Sequence, residues 1–178
     1  MEATHAELVE IAAKWLTRQG CNVVLSERNA GGECPDAIGW YCSGFTSTVV
    51  ECKVSLADFR ADAVKVWRNQ PSMGVTRWYL APKGLLMAQA MPPGWGLLEW
   101  TGKVVRVKQQ AGGVPSQRDE REEARLLLSE LRIYHAQGIT YRKGDERWKP
   151  RAGTVQELSH HSVTPSASAA PKPSPNLE

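Results

Sequence analysis

Two runs of residues predict a β-hairpin, and this hairpin constrains the fold more than any other feature of the sequence. Residues 46–54, TSTVVECKV, are rich in β-branched side chains, which are favoured in strands. Residues 35–41, PDAIGWY, form a second strand-like run, and Ser43-Gly44 between the two runs is typical of a turn. The chain must therefore build a β-sheet that contains this hairpin.

The other elements are predicted from hydrophobic spacing and from residues that begin or end helices. The last two predicted strands would form a second hairpin about Thr101-Gly102. Helices that alternate with strands predict an α/β fold. The predicted helices cover 4–19, 57–68 and 117–135, and the remaining strands cover 22–25, 75–81, 97–100 and 104–107.

The chain has 178 residues, which is enough for one domain with a sizeable core. We expect residues 1–108 to form this core and residues 109–153 to form a helical, basic C-terminal extension. Residues 154–178 are rich in Ser, Ala and Pro and hold few apolar side chains, so they are predicted to be a disordered tail.

Composition and cysteine spacing argue against a membrane protein, an exported protein and a zinc protein. The sequence has no apolar run of the ~18 residues that a membrane span needs, and its N-terminus lacks the apolar segment of a signal peptide. The cysteines show no C-x-x-C spacing, so free, buried thiols are expected. These features predict a cytoplasmic protein.

Residues 51–53, Glu-Cys-Lys, give the predicted strand a charged face. Glu51 and Lys53 share that face because side chains alternate along a strand, and the hairpin would bring Asp36 beside Glu51. Two carboxylates can bind Mg²⁺ and leave positions for water and a phosphate oxygen, and a lysine can orient that water. The alternative is an ordinary salt bridge between Glu51 and Lys53 on an exposed strand, with Asp36 as a turn residue.

The order of these elements and motifs resembles the PD-(D/E)XK nuclease superfamily, over about residues 4–100. Residues 50–62, VECKVSLADFRAD, and residues 95–98, WGLL, are further similar to MmcB-type DNA repair proteins and related phage and bacterial proteins. The motifs that carry the resemblance are, in chain order, a helix with Glu7, then Pro35-Asp36, then Glu51-Cys52-Lys53 followed by another helix.

The resemblance implies a restriction-endonuclease-like α-β-β-β-α-β core, with a mixed sheet flanked by helices. Asp36, Glu51 and the main-chain carbonyl of Cys52 would bind Mg²⁺ or Mn²⁺, and Lys53 would be the catalytic lysine. The implied activity is metal-dependent hydrolysis of DNA. Without a second domain to recognise a target sequence, the enzyme would be structure-directed or weakly specific, and would act in DNA repair, recombination or phage DNA metabolism.

Other residues near the motifs are weaker candidates. Glu7 matches the helix-one glutamate that completes the site in many members, but a capping box with Thr4 also explains it. Lys65 and Arg68, on the helix after the Glu-Cys-Lys strand, are candidates for DNA contacts or plain surface residues. Glu33 precedes Pro35-Asp36 and is more simply explained as a loop residue.

Charge is distributed unevenly along the chain in a way that suits a nucleic-acid partner. The net charge is only +3, but residues 1–50 hold 3 basic and 6 acidic groups whereas residues 101–150 hold 11 and 7. Basic groups interleaved with aromatic rings suit phosphate contacts and base stacking. The alternative is a solvated basic segment. The candidates for DNA contacts here are Arg142, Lys143, Arg147, Trp148 and Lys149.

Two other functions are compatible with the sequence. The first is a catalytically inactive nucleic-acid-binding or protein-interaction module that keeps the nuclease fold. The second is an interaction protein that works through the predicted helix 117–135, in which the charged strand is purely structural. DNA is the predicted partner and a membrane is not, and formation of a homodimer is left open.

Overall fold

The computed structural model describes residues 3–29, 32–43, 45–65, 71–113 and 118–138, which all belong to one compact unit, Met1–Ile139. Several predictions therefore lie outside the described residues. They concern Arg68, Arg142, Lys143, Arg147, Trp148, Lys149 and the tail 154–178.

The described chain folds into three helices and six strands, with a short 3-10 turn at Ala88–Ala90. None of its helices has the length and apolar character needed to cross a membrane. The elements in chain order are α1 (His5–Arg18), β1 (Val23–Ser26), β2 (Ala37–Tyr41), β3 (Thr46–Cys52), α2 (Leu56–Ala63), β4 (Thr76–Pro82), β5 (Trp95–Trp100), β6 (Val105–Gln109) and α3 (Glu120–Ala136).

The six strands form one mixed sheet in which spatial order follows chain order, β1-β2-β3-β4-β5-β6. The pairs β1-β2, β2-β3 and β5-β6 are antiparallel, while β3-β4 and β4-β5 are parallel. Parallel neighbours need a long connection, and α2 lies in the connection from β3 to β4. The predicted α/β class, the α-β-β-β-α-β order and the mixed sheet with flanking helices are confirmed.

Helix α1 begins where the sequence predicts it. The Thr4 side chain accepts the main-chain N–H of Glu7, and the Glu7 carboxylate accepts the N–H of Thr4, which completes a capping box. Leu8, Ala12 and Leu16 recur at helical spacing and are fully buried. This apolar face fixes α1 on the sheet.

The core lies on both faces of the sheet. On one face, α1 packs against a cluster that includes Val50, Cys52, Leu80 and Leu98. On the other face, Leu126 of α3 packs with Ile38, Trp40, Val49 and Met73. A third cluster beside it holds Tyr79, Ala81, Leu86, Trp95 and Leu97. The strands β3, β4 and β5 are therefore covered on both sides.

Helix α3 confirms the predicted helix 117–135 from Glu120 onward and packs on the sheet, but only part of its leucine run is buried. Leu126 is fully buried, whereas Leu128 and Leu131 are 59% and 44% exposed. Consecutive leucines point in different directions around a helix, so a single packed face cannot cover all of them.

Two expectations were wrong. Helix α2 ends at Ala63 instead of Arg68, with Val64 as its C-cap residue, and the Val64 side chain is largely exposed. Val64 therefore gains no buried apolar contact that would stabilise a longer helix. Cys34 and Cys42 are exposed rather than buried because both lie in loops that run over the surface, while Cys21 and Cys52 are buried as expected.

Candidate active site

The candidate site lies at the carboxyl end of β3, where Glu51 and Lys53 point away from α1 because Val50 and Cys52 pack against it. Glu51 and Lys53 share this face of the strand, and each residue is only 3% exposed. The alternative was an ordinary salt bridge on an exposed strand. It is wrong about exposure, because both charged side chains are buried. A buried charge needs close polar partners, so the contacts of this pair decide what the site can do.

Lys53 is surrounded by three carboxylates. Its Nζ atom lies 3.3 Å from Oδ1 of Asp62, 3.8 Å from Oε2 of Glu51 and 3.8 Å from Oδ1 of Asp58. Its main-chain N–H donates to the carbonyl of Leu80 on β4. The strand fixes the lysine backbone, and α2 supplies the two aspartates that hold its head group.

Asp62 was not singled out from the sequence, although it is fully buried in the site. Its Oδ2 atom accepts the hydroxyl of Tyr79 at 2.6 Å, and its Oδ1 atom lies 2.8 Å from Nζ of Lys65. The available signal was spacing, because Asp58 and Asp62 are four residues apart and so share one face of a helix. Lys65, a predicted DNA contact, is placed here as an ion-pair partner of Asp62.

Asp36 lies against the strand residue between Glu51 and Lys53. Its Oδ2 atom accepts the main-chain N–H of Cys52 at 2.6 Å. The pairing of Ala37 with Val50, continued by two residues, puts Pro35 opposite Cys52. Because proline has no N–H, Pro35 cannot donate the ladder hydrogen bond that would occupy the Cys52 carbonyl. Asp36 thus accepts the N–H of Cys52, and Pro35 leaves the Cys52 carbonyl without a ladder donor.

The pKa values of two thiols show that Asp36 and Glu51 act on the same region. Burial raises the pKa of Cys34, and the negative charges of Asp36 and Glu51 raise it further. The pKa of Cys52 lies well above its usual range, first because of burial and then because of the same two carboxylates. Both carboxylates therefore lie close enough to the end of β3 to raise the pKa values of Cys34 and Cys52, and the charge of Lys53 partly offsets this effect on the pKa of Cys52.

His5 joins the site from the first turn of α1 and was also missed by sequence reasoning. Its Nε2 atom lies 3.4 Å from Oδ2 of Asp36, and its Nδ1 atom lies 3.9 Å from Oε1 of Glu27. The contact depends on how α1 packs on the sheet, which local sequence does not reveal.

Glu7 lies elsewhere on α1. Its carboxylate accepts the N–H and the hydroxyl of Thr4 at 2.8 and 3.0 Å, and these hydrogen bonds lower its pKa. The residue also lines an open groove of about 740 Å³, together with Glu10, Lys83 and Trp100. Within the described contacts it is a capping residue and does not touch Asp36 or Glu51.

Glu33 lies in the loop before β2, as the simpler interpretation expected, but it is buried. It accepts the N–H of Met73 at 3.0 Å and pairs with Arg77 at 3.3 Å. Both partners tie this loop to the chain just before and within β4. Glu33 therefore has a structural role outside the candidate site.

The donors at the site suit a hard cation. Among the described residues, no group of three or more His, Cys, Asp and Glu side chains is arranged to hold a metal ion. Mg²⁺, however, commonly takes one or two carboxylates and keeps several waters. Oδ1 of Asp36 has no hydrogen bond or ion pair to any described residue, and the Cys52 carbonyl lacks its ladder donor. Asp36, Glu51 and this carbonyl are therefore oxygen donors of the kind that Mg²⁺ and Mn²⁺ take.

Comparisons with known proteins support the fold and give no information about the chemistry of the site. The sequence matches no protein-family model, and it matches no curated protein. The structure is similar to the SPO1766 protein of unknown function from Silicibacter pomeroyi, with a TM-score of 0.57 and 22% sequence identity. The match covers 80% of this chain and 100% of the other.

Proposed function

We propose that this protein is a metal-dependent nuclease that hydrolyses phosphodiester bonds in DNA. The observation that carries the proposal is the arrangement at the end of β3, where Asp36 binds the N–H of Cys52 between Glu51 and Lys53. A structure-directed or weakly specific enzyme of DNA repair, recombination or phage DNA metabolism fits the resemblance to PD-(D/E)XK nucleases. The cytoplasm is the proposed location.

Each residue has a defined task in this proposal. Asp36, Glu51 and the carbonyl of Cys52 would hold Mg²⁺ or Mn²⁺. When bound, such an ion lowers the pKa of a coordinated water and so supplies the nucleophile. The ammonium group of Lys53 orients the attacking water or offsets the charge that develops on the phosphate.

The surrounding contacts keep these groups in place before substrate arrives. The hydrogen bond from Cys52 restricts rotation of the Asp36 side chain, and Lys53 lies on the same strand face as Glu51. Preorganised charges stabilise a transition state without reorganising during the reaction. DNA contacts by Lys65, Arg68 and the basic residues from Arg142 to Lys149 are part of the proposal.

One observation favours a second candidate, a DNA-binding module that keeps the fold without cutting. Lys53 is almost completely buried and already lies near three carboxylates. A structural lysine would show the same contacts. DNA binding by such a module would be unaffected by EDTA, whereas cleavage by the nuclease requires the ion.

The test is cleavage by the purified full chain with Mn²⁺ on single-stranded, nicked and branched DNA. We expect Lys53→Ala and Asp36→Asn each to lower kcat by about 100-fold or more, because each removes a group that stabilises transition-state charge or holds the ion. Lys108→Ala is the matched control, because Lys108 also pairs with a carboxylate, Glu99, but lies on β6.

The outcome separates the two candidates. Cleavage that EDTA abolishes and Lys53→Ala impairs supports the nuclease. No cleavage of any of the three substrates, or equal cleavage by Lys53→Ala and the wild type, contradicts it. DNA binding that persists in EDTA without any cleavage supports the non-catalytic module.

A further inference from the structure

We infer that Asp62 is a positioning residue, which holds Lys53 at the working end of β3 and keeps it from closing onto Glu51. The inference rests on the proposed nuclease function, because it assigns a task to a residue through Lys53. Asp62 is not one of the motif residues Asp36, Glu51 and Lys53, because it lies on α2.

The distances rank the partners of Lys53. Oδ1 of Asp62 lies 3.3 Å from Nζ and makes a hydrogen bond, while Glu51 and Asp58 each lie at 3.8 Å. Asp58 is also partly exposed, so water screens its charge. Asp62 is therefore the partner that places the ammonium group.

Asp62 is itself held firmly. The Tyr79 hydroxyl donates to its Oδ2 atom at 2.6 Å, and Lys65 lies 2.8 Å from its Oδ1 atom. The Tyr79 ring stacks on Trp95 at 4.5 Å and meets the edge of Phe59 at 5.0 Å. A carboxylate with both oxygens engaged and no exposure can fix the position of another group.

The sheet register places Tyr79, which holds Asp62, beside the Glu-Cys-Lys motif. Tyr79 on β4 is paired with Glu51 on β3, so the two side chains are neighbours on one face of the sheet. Asp62 approaches from α2 and lies between Tyr79 and Lys53. Without its charge, the ammonium group would move toward Glu51, and that carboxylate would be tied up in an ion pair.

The experiment is a double-mutant cycle on the full chain, with Asp62→Asn, Lys53→Ala and both together. We expect Asp62→Asn to lower kcat by about tenfold, which corresponds to about 1.4 kcal/mol, with little change in KM for DNA. It should cause no further loss in the Lys53→Ala background, because its effect passes through Lys53.

A second readout needs neither metal nor DNA. Unfolding by denaturant should show that the double variant loses less stability than the sum of the two single losses, because each single change already removes the hydrogen bond between the buried Lys53 and Asp62 side chains. The control is Glu123→Gln, which alters an equally buried carboxylate outside the site. It should lower stability while the folded protein keeps its kcat.

The outcomes are distinguishable. An inactive wild-type chain overturns the proposed function and this inference with it. If the wild type is active and Asp62→Asn lowers kcat by the same factor in the wild-type and Lys53→Ala backgrounds, only the positioning role is overturned. If Asp62→Asn does not fold, Tyr79→Phe removes only the hydroxyl and should lower kcat in the same direction by a smaller factor. An unchanged kcat in Tyr79→Phe would then overturn the inference.

Discussion

Glu123 joins four parts of the chain through one buried carboxylate. It is 2% exposed and accepts hydrogen bonds from Trp40 at 2.9 Å, Ser47 at 2.7 Å and the N–H of Gly74 at 2.9 Å. Arg118 adds two bonds through its Nε and Nη2 atoms. Because these donors come from β2, β3, the chain before β4 and the chain before α3, Glu123 anchors α3 to the sheet.

We predict that Glu123→Gln lowers the free energy of unfolding by about 3 kcal/mol or more, because Arg118 would be left without its main charged partner. Denaturant unfolding measures the loss. Glu120→Gln is the control, since Glu120 also pairs with Arg118 but is largely exposed, and its loss should be at most about 1 kcal/mol. Equal losses in the two variants would contradict the anchoring role.

The same substitution should change the pH dependence of stability. Burial acts to raise the pKa of Glu123, but the hydrogen bonds from Arg118, Gly74, Ser47 and Trp40 outweigh it and lower the pKa below 4.5. The stability from the charged form is therefore present above pH 4.5 and is lost as the pH falls through the folded-state value. The stability difference between wild type and Glu123→Gln should shrink over that range.

At the residue scale, sequence reasoning reached the part of the site that lies on the hairpin. Alternation along a strand is enough to put Glu51 and Lys53 on one face, and the hairpin pairing brings Asp36 close. Asp62 and His5 belong to helices whose packing on the sheet sets their contacts, so local sequence contained only the spacing of Asp62 from Asp58. Whether these residues perform catalysis stays a prediction.

At the element scale, the parallel strands depend on a close approach at Gly96. Gly96 on β5 is paired with Trp78 on β4, and a Cβ atom at this position would lie 2.2 Å from Cε3 of Trp78. The Trp78 ring in turn meets the edge of Trp15 on α1 at 5.4 Å. The missing side chain thus lets Trp78 lie over β5 beneath the helix.

We predict that Gly96→Ala lowers the free energy of unfolding by about 1 to 3 kcal/mol, because Trp78 must leave its position against α1. Denaturant unfolding and the tryptophan fluorescence of the native state measure the change. Gly112→Ala is the control, since the nearest atom to its added Cβ lies at 3.7 Å. A loss no greater than that of Gly112→Ala would show that the sheet adapts.

The elements and the two hairpins were largely predictable, and the pairing of the parallel strands was not. Caps at Thr4, Ser55 and Asp119 mark the helix starts, and short turns identify the antiparallel hairpins. The parallel pairing of β4 between β3 and β5 depends on long connections, which periodicity does not describe. The end of α2 was misplaced because exposure of Val64 is a property of the folded chain.

At the scale of the whole molecule, the basic residues after Gly138 give a direct test of the DNA partner. If the basic residues from Arg142 to Lys149 bind phosphates, a chain ending at Gly138 should bind DNA more weakly and with a shallower salt dependence. The slope of log K against log salt should fall by roughly 0.7 to 0.9 for each phosphate that is no longer neutralised. Binding titrations at several salt concentrations measure this.

A full-length variant with Arg142, Lys143, Arg147 and Lys149 changed to Gln is the matched control, because it keeps the chain length and removes only charge. It should reproduce the shallower slope. A slope equal to that of the wild type in both variants would place the DNA-binding surface elsewhere.

The sheet order, in which each strand lies beside its neighbours in the chain, has a consequence for how the molecule folds. No strand of the described sheet has to be inserted between two strands that are already paired. The β1-β2-β3 meander and the β5-β6 hairpin can each form from nearby residues at small entropic cost. The slow event is then the closure of the two parallel connections around β4, the step that also brings Tyr79 on β4 to Asp62 on α2 and beside Glu51 on β3.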